Sequence, residues 1–249
     1  MHVSIPSELA ERLRSARSVA VLTGAGVSAE SGIPTFRDAQ KGLWATFNPQ
    51  DLATPAAFVR NPRLVWEWYA ERRVTIEQTR PNPGHVALAE LERRVPDFTL
   101  ITQNIDGLHS LAGSQRVIEL HGNIRRYRCF DENVLVADWP ATDAVPPLCP
   151  NCGGLLRPDV VWFGELLDSE LLSAAREAAQ RCDLFLSVGT SAQVEPAASL
   201  PQIALNHGAV VVIVNPEVSE SLRSPLYRLS GPSGVVLPAL VRAAWPEVG

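Results

Sequence analysis

No apolar run in this 249-residue chain approaches the roughly 20 residues that a membrane-spanning helix needs, so no membrane partner is expected. Positive charge is also in short supply. Lys and Arg total 22 against 27 Asp and Glu, a net charge of -5, which argues against the basic face that nucleic-acid binding requires. Cysteine is scarce: four residues are too few for a disulfide framework in a chain this long. Two of them stand in Cys149-Pro150-Asn151-Cys152, a spacing that points to metal instead. Met1-His2-Val3-Ser4-Ile5-Pro6 lacks a basic segment followed by an apolar one, so the expected setting is cytoplasmic. There is no internal repeat and no low-complexity tract. What remains is a chain long enough to remove roughly 70–75% of its unfolded surface from water, as one large domain or a large and a small one.

The stretch from Ser18 to Asp38 organises the rest. Val19–Leu22 is a short apolar run rich in β-branched residues, as a buried parallel strand should be. It ends in Gly24-Ala25-Gly26 and then Ala29, which fits G-x-G-x-x-G/A. In that pattern the first glycine makes a tight turn, the second lets a pyrophosphate approach the backbone, and the small third residue lets helix pack on strand. Ser28 and Ser31 are placed to cap the helix that follows. Pro34 cannot continue a helix, so that helix must be very short.

Around this stretch the chain alternates strands and helices. An amphipathic helix is expected over Ser7–Ala16, and a long functional loop over Ala39–Ala57 anchored by Trp44 and Phe47. Helices follow over Pro62–Gln78 and His85–Arg94, then strands over Phe98–Ile101 and Val117–Leu120. From Ile124 to Pro158 the alternation stops and prolines and cysteines enter, as in a small inserted module. It resumes with helix Ser169–Arg181, strand Leu184–Val188, a helical stretch Ala197–Asn206 and strand Val210–Val214. Val235-Val236 is the expected last strand and Leu237–Ala244 the closing helix. The fold class is therefore α/β, a Rossmann-like doubly wound parallel sheet with a small inserted zinc-ribbon-like and helical domain.

The glycine stretch, continued through Gly32-Ile33-Pro34-x-Phe36-Arg37, resembles the sirtuin signature G-A-G-x-S-x-x-S-G-I-P-x-F-R. The resemblance extends through Thr102-Gln103-Asn104-Ile105-Asp106, Leu120-His121-Gly122-Asn123, Val161-Trp162-Phe163-Gly164-Glu165, Gly189-Thr190-Ser191 and Asn215-Pro216-Glu217, in family order. It implies an NAD-consuming protein-lysine deacylase. The acyl oxygen of a modified lysine attacks the ribose carbon as nicotinamide leaves. His121 then activates a ribose hydroxyl, which attacks the resulting imidate, and water releases free lysine and O-acyl-ADP-ribose. The resemblance implies that Gly24, Ala25, Gly26, Ser28, Phe36, Arg37, Gln103, Asn104, Asp106, Gly189, Thr190, Ser191, Asn215, Glu217 and Ser233 bind the cofactor. Phe36 would shield the site from water, Asp106 and its neighbours would hold the carboxamide, and Asn104 would position water or ribose. The implied domains are a large NAD-binding one (1–38, 82–121 and 158–249) and a small one (39–81 and 122–157). The chain is expected to act as a monomer on acylated-lysine proteins.

Three further sites complete the expectation. Val160, Trp162, Phe163 and Gly164 form an aromatic wall along which a substrate backbone could add as a strand. Tyr69 and Arg72, three apart on one helix face, resemble the sirtuin branch that removes succinyl, malonyl and glutaryl groups, whose terminal carboxylate a guanidinium can fork. Cys149 and Cys152, with Cys129, offer three thiolates, but Glu132 stands where the family usually has the fourth cysteine. Three thiolates with a carboxylate, three with a water, and a metal-free module all stay open. So do two rival functions, a hydride-transferring dehydrogenase and a non-catalytic zinc adaptor. Against the first, the region about 20 residues past the glycines has no strand ending in an acid to hold a ribose.

Overall fold

The computed structural model describes residues 3–34, 51–218 and 221–246. Phe36, Arg37, Trp44 and Phe47 lie outside the described residues. The main sheet takes β1 (Ser18–Thr23), β2 (Asp97–Thr102), β3 (Val117–Glu119), β7 (Leu184–Val188), β8 (Val210–Asn215), β9 (Ser221–Arg223) and β10 (Leu226–Ser230). Their order is β3-β2-β1-β7-β8-β10-β9, all parallel except β9 at the edge. Strands covered on both faces must be apolar throughout, and all five residues of β7 are buried. In β1, Val19 and Val21 enter one core with α1 (Ser7–Ser15), α4 (Pro83–Arg94) and α8 (Ser233–Ala244), while Ala20 and Leu22 face α6 (Ser169–Arg181) and α7 (Leu200–Asn206). β1 pairs with β2 on one side and β7 on the other. Strand order reverses there, and the crevice at the carboxyl ends of those strands is where such sheets bind ligands.

A second sheet, antiparallel and ordered β5-β4-β6, uses β4 (Gly122–Cys129), β5 (Leu135–Val136) and β6 (Leu156–Val160). Ile124, Val160 and Trp162 join Phe58 of α2 (Pro55–Arg60) and Val65, Trp68, Tyr69 and Ile76 of α3 (Pro62–Gln78) in one apolar cluster. Three helices start alike, with a polar residue before proline: Thr54 accepts from the Ala57 amide (3.1 Å), Asn61 from Leu64 (3.1 Å) and Asn82 from Gly84 (2.8 Å). No helix among the described residues is long and apolar enough to cross a membrane.

Two expected elements are corrected. The loop expected to run to Ala57 ends at Thr54, because Thr54-Pro55 caps and opens α2. Val235-Val236 is not a strand; it lies in the first turns of α8, and the last strands are β9 and β10. In β10, Tyr227 and Leu229 are buried while their neighbours are partly exposed, the alternation of an outer strand. Val235-Val236-Leu237 is too short a run for periodicity to tell helix from strand.

Candidate active site and metal centre

The segment after β1 is a 3₁₀ helix, Ala25–Ser31, stopped by Gly32 at φ +86°. Its glycines serve a contact between loops. The Gly24 amide donates to Val188 O (3.0 Å) and the Gly26 amide to Gly189 O (2.8 Å). A Cβ on Gly26 would stand 2.7 Å from Gly189 Cα, and one on Gly189, whose φ is +61°, 2.4 Å from Val27 N. The sequence pattern assigned the second glycine to pyrophosphate approach; in the structure its open side is filled by the loop after β7. The two loops thereby form one rim at the switch point, with Ala25 half-buried in it.

Ser28 does not cap this helix. It is fully buried, and its hydroxyl donates to Asp106 Oδ2 (2.7 Å) while accepting from Asn104 Nδ2 (3.1 Å) and facing His85 Nε2 (3.3 Å). The Asn82 amide donates to His85 Nδ1 (3.3 Å), so the His85 proton sits on Nε2 and points at Ser28. Ser31 instead accepts from Asn82 Nδ2 (3.1 Å). Asp106 is buried, its Oδ1 accepting from the Leu108 amide (2.9 Å) at the start of α5 (Leu108–Leu111); burial raises its carboxyl above the usual range, opposed by Leu108 and Ser28. A second strand of the network runs from His109 Nε2 to Thr23 Oγ1 (2.9 Å), on to Thr102 Oγ1 (2.8 Å), and back to the Asn104 amide (3.0 Å). The His85 and His109 rings lie 4.8 Å apart. Nothing in the spacing of the two histidines signals a shared network under Asn104.

Burial pushes His85 down to about 4 and His109 to about 3. Both rings stay neutral in the folded protein, whereas in the unfolded chain they protonate near 6.5. The unfolded state therefore binds more protons below about pH 6.5. Stability should fall on acidification from there, by up to about 1.4 kcal/mol per pH unit for each ring. Urea unfolding followed from neutrality down to about pH 5 checks this, and a flat profile would contradict it.

His121 follows β3 and is partly buried. Its Nδ1 lies 2.9 Å from Gln103 O, which can only accept, so Nδ1 carries the proton and Nε2 keeps its lone pair. Burial lowers its pKa below 6.5, opposed by that hydrogen bond. Gly122 must be glycine: φ is +77° and a Cβ would collide with Asp159 O. Gln103 also reaches the other way, its Nε2 donating to Thr190 Oγ1 (3.3 Å). Asn215 Nδ2 donates to Thr190 O (3.0 Å), and Asn215 Oδ1 accepts from the exposed Glu217 (3.4 Å). Ser191 is exposed beside them. Ser233 stands apart: it is buried at the start of α8, bonded to Glu30 Oε2 (3.2 Å) and Val27 O (3.4 Å) beneath the glycine rim.

The aromatic wall is not an extended strand. β6 stops at Val160, and Gly164 (φ +89°) lies in a turn. Its amides are engaged: Val161 with His121 O (3.0 Å), Trp162 with Glu165 Oε2 (2.7 Å) and Phe163 with Ala53 O (2.9 Å). The Glu165 carboxylate, competing for the Trp162 amide, ends the strand. Phe163 is half exposed, and Trp162 is buried with its indole N–H on Tyr69 OH (3.0 Å). Arg72 is half-buried, its guanidinium 4.6 Å from the centre of the Trp68 ring.

At the end of β4 and in the turns beside it, the ligand atoms of Cys129, Glu132, Cys149 and Cys152 all lie within 4.8 Å of one another. Zinc bonds of about 2.0–2.3 Å in tetrahedral geometry suit such a group, and three sulfurs with one carboxylate are chemically competent. The Glu132 amide donates to Cys129 Sγ (3.4 Å) and the Gly154 amide to Cys152 Sγ (3.4 Å), contacts that favour thiolates. Glu132 thus stands close enough to serve as a fourth ligand, the arrangement that the first of the three alternatives requires. Cys182 is a buried core thiol, pushed up to about 12 by burial.

A doubly wound parallel sheet with paired glycine loops at the carboxyl ends of its strands is the arrangement by which α/β proteins bind dinucleotides. The family model described as Sir2 matches residues 24–196. The chain belongs to the Sir2 family. An NAD-dependent protein deacylase of Ralstonia nicotianae is 51% identical over 236 residues, spanning 95% of this chain and 96% of its own length. One from Thermus thermophilus is 53% identical over 233 residues, 92% of this chain and 90% of its own. A solved Sir2 homologue–NAD complex matches with a TM-score of 0.85 at 43% identity, covering 98% of this chain and 96% of that one. A Sir2 protein bound to a myristoylated histone peptide matches at 0.73 and 37% identity, covering 96% and 95%.

Proposed function

We propose that this chain is an NAD-consuming protein-lysine deacylase that prefers acyl groups ending in a carboxylate (succinyl, malonyl, glutaryl) and also accepts acetyl. The observation that carries the reading is the double grip of Gln103, whose carbonyl holds His121 and whose side chain holds Thr190 of the glycine rim. One residue therefore ties a base to the dinucleotide loops. NAD would supply a ribose carbon from which nicotinamide departs. His121 Nε2, kept neutral by burial, takes the proton of a ribose hydroxyl. Asn104, bonded to Ser28 and Thr102, positions water or ribose, and Asp106 accepts from the carboxamide. The glycine rim, Thr190, Ser191, Asn215 and Glu217 hold the adenosine half; Phe36 is the shield against water and Arg37 the phosphate or loop anchor that the family motif implies. Ser233 contributes by bracing Glu30 and Val27 under the rim.

Tyr69 and Arg72 supply the carboxylate preference, with Val160, Trp162, Phe163 and Gly164 lining the approach. Residues 39–81 and 122–157 make up the small domain in this reading, and 1–38, 82–121 and 158–249 the large one. The protein works as a monomer on acylated-lysine proteins in the cytoplasm, a compartment that keeps its thiols reduced. Peptides carrying a panel of acyl-lysines, incubated with NAD and weighed by mass spectrometry, test the reading. Succinyl, malonyl or glutaryl loss outpacing acetyl loss supports it, and acetyl loss alone removes the acidic-acyl preference.

Cys129, Cys149 and Cys152 with Glu132 would hold a structural zinc ion. Because structural metal contributes directly to folding, Cys149→Ser should lower both zinc content and melting temperature. Elemental analysis of protein purified without added metal provides the baseline. Full activity with no stoichiometric metal in the unsubstituted protein would contradict this site.

A further inference from the structure

A preference for acidic acyl groups requires the Tyr69 phenol to point its proton at the acyl carboxylate, and this inference rests on that preference. Tyr69 and Trp162 are 4% and 2% exposed, and the Trp162 indole N–H donates to Tyr69 OH at 3.0 Å. An indole N–H can only donate, so this contact occupies a lone pair of the phenol and directs the phenol's own proton elsewhere. Burial pushes the Tyr69 pKa up to about 12, so the group stays protonated and able to donate.

The indole is itself held in place. The Arg157 guanidinium carbon lies 3.3 Å from the centre of the Trp162 ring, and Arg157 is 3% exposed. Arg157 Nη2 donates to Val160 O (2.6 Å) and to Glu165 Oε2 (3.0 Å). The same carboxylate oxygen accepts from the Trp162 backbone amide (2.7 Å). Phe58 packs with its ring centre 5.4 Å from that of the indole. Ring plane and backbone are thus both fixed, and with them the direction of the indole N–H.

We propose that Trp162 is a specificity-positioning residue: by donating to the Tyr69 hydroxyl it makes that phenol a one-way donor toward an acyl carboxylate, in an orientation set by Arg157 and Glu165. An acetyl group offers no acceptor at its end, so the alignment favours only acidic acyl groups.

Trp162→Phe keeps an aromatic ring and removes the donor. The ratio of kcat/KM for a succinyl-lysine peptide to that for an acetyl-lysine peptide should fall about three- to tenfold, the size of one neutral hydrogen bond, chiefly through KM of the succinyl peptide. In a Tyr69→Phe background the same substitution should leave the ratio where Tyr69→Phe alone put it, since the two act as one unit. If Trp162→Phe fails to fold, Arg157→Lys replaces it, losing the planar fork and stack, and the same fall in ratio is expected. An unchanged ratio in these variants, alongside a fall in Tyr69→Phe, would overturn the role of Trp162 and leave the acidic-acyl reading standing. No preference for succinyl in the unsubstituted protein, and no effect of Tyr69→Phe, would overturn both.

Discussion

His121→Ala should slow acyl release by about 10²–10⁴-fold, the usual worth of positioned acid–base assistance, while leaving the fold intact. The ring sits past the end of β3, half-buried at the sheet edge, and its one described hydrogen bond is to Gln103 O. Removing it empties the site without opening the core. Because burial lowers its pKa, the neutral ring persists to lower pH, and the acid limb of kcat/KM should inflect below 6.5. Steady-state rates and melting temperatures of the two proteins check this. A rate close to that of the unsubstituted enzyme would remove His121 from the mechanism.

Arg72→Met should cut desuccinylation about ten- to over a hundredfold and leave deacetylation largely unchanged. A hydrogen bond to a charged group is worth roughly 1.5–3 kcal/mol, and methionine keeps much of the apolar stem of the arginine while removing the guanidinium. Burial already lowers the Arg72 pKa, so a guanidinium here gains from an incoming anion. Equal loss on both substrates would show that Arg72 supports the fold and not the choice of acyl group.

Much of this was legible in the sequence because it rests on local rules. Helices Pro62–Gln78 and Ser169–Arg181 and strand Leu184–Val188 occur with the expected bounds, since apolar spacing and X-Pro starts fix them locally. The helix at Pro55 was also signalled, by Thr54-Pro55, but was absorbed into a loop rich in turn residues. β10 and α8 were mistaken because Val235-Val236-Leu237 has no period of its own, and only the neighbouring β8 reveals Leu226–Ser230 as a strand. At the site, His121, Asn104 and Asp106 follow from motif and strand ends. The partnership of Ser28 with His85, 57 residues apart, and of Thr23 with His109, 86 apart, is set by the sheet order and has no local signal. The same holds for Gly26 against Gly189, where two loops from distant strands exclude each other's side chains. Glu132 was visible as a departure from the family pattern, but only coordinates place its carboxylate among the thiols.

The central claim is that acyl removal consumes NAD by ribosyl transfer. The most direct measurement is the product balance from a succinyl-lysine peptide and NAD, read by chromatography and mass spectrometry together with absorbance. Nicotinamide, free lysine peptide and O-succinyl-ADP-ribose should appear in equal amounts with no reduced nicotinamide. Free lysine peptide released while NAD stays intact, or NAD converted to its reduced form, would contradict it.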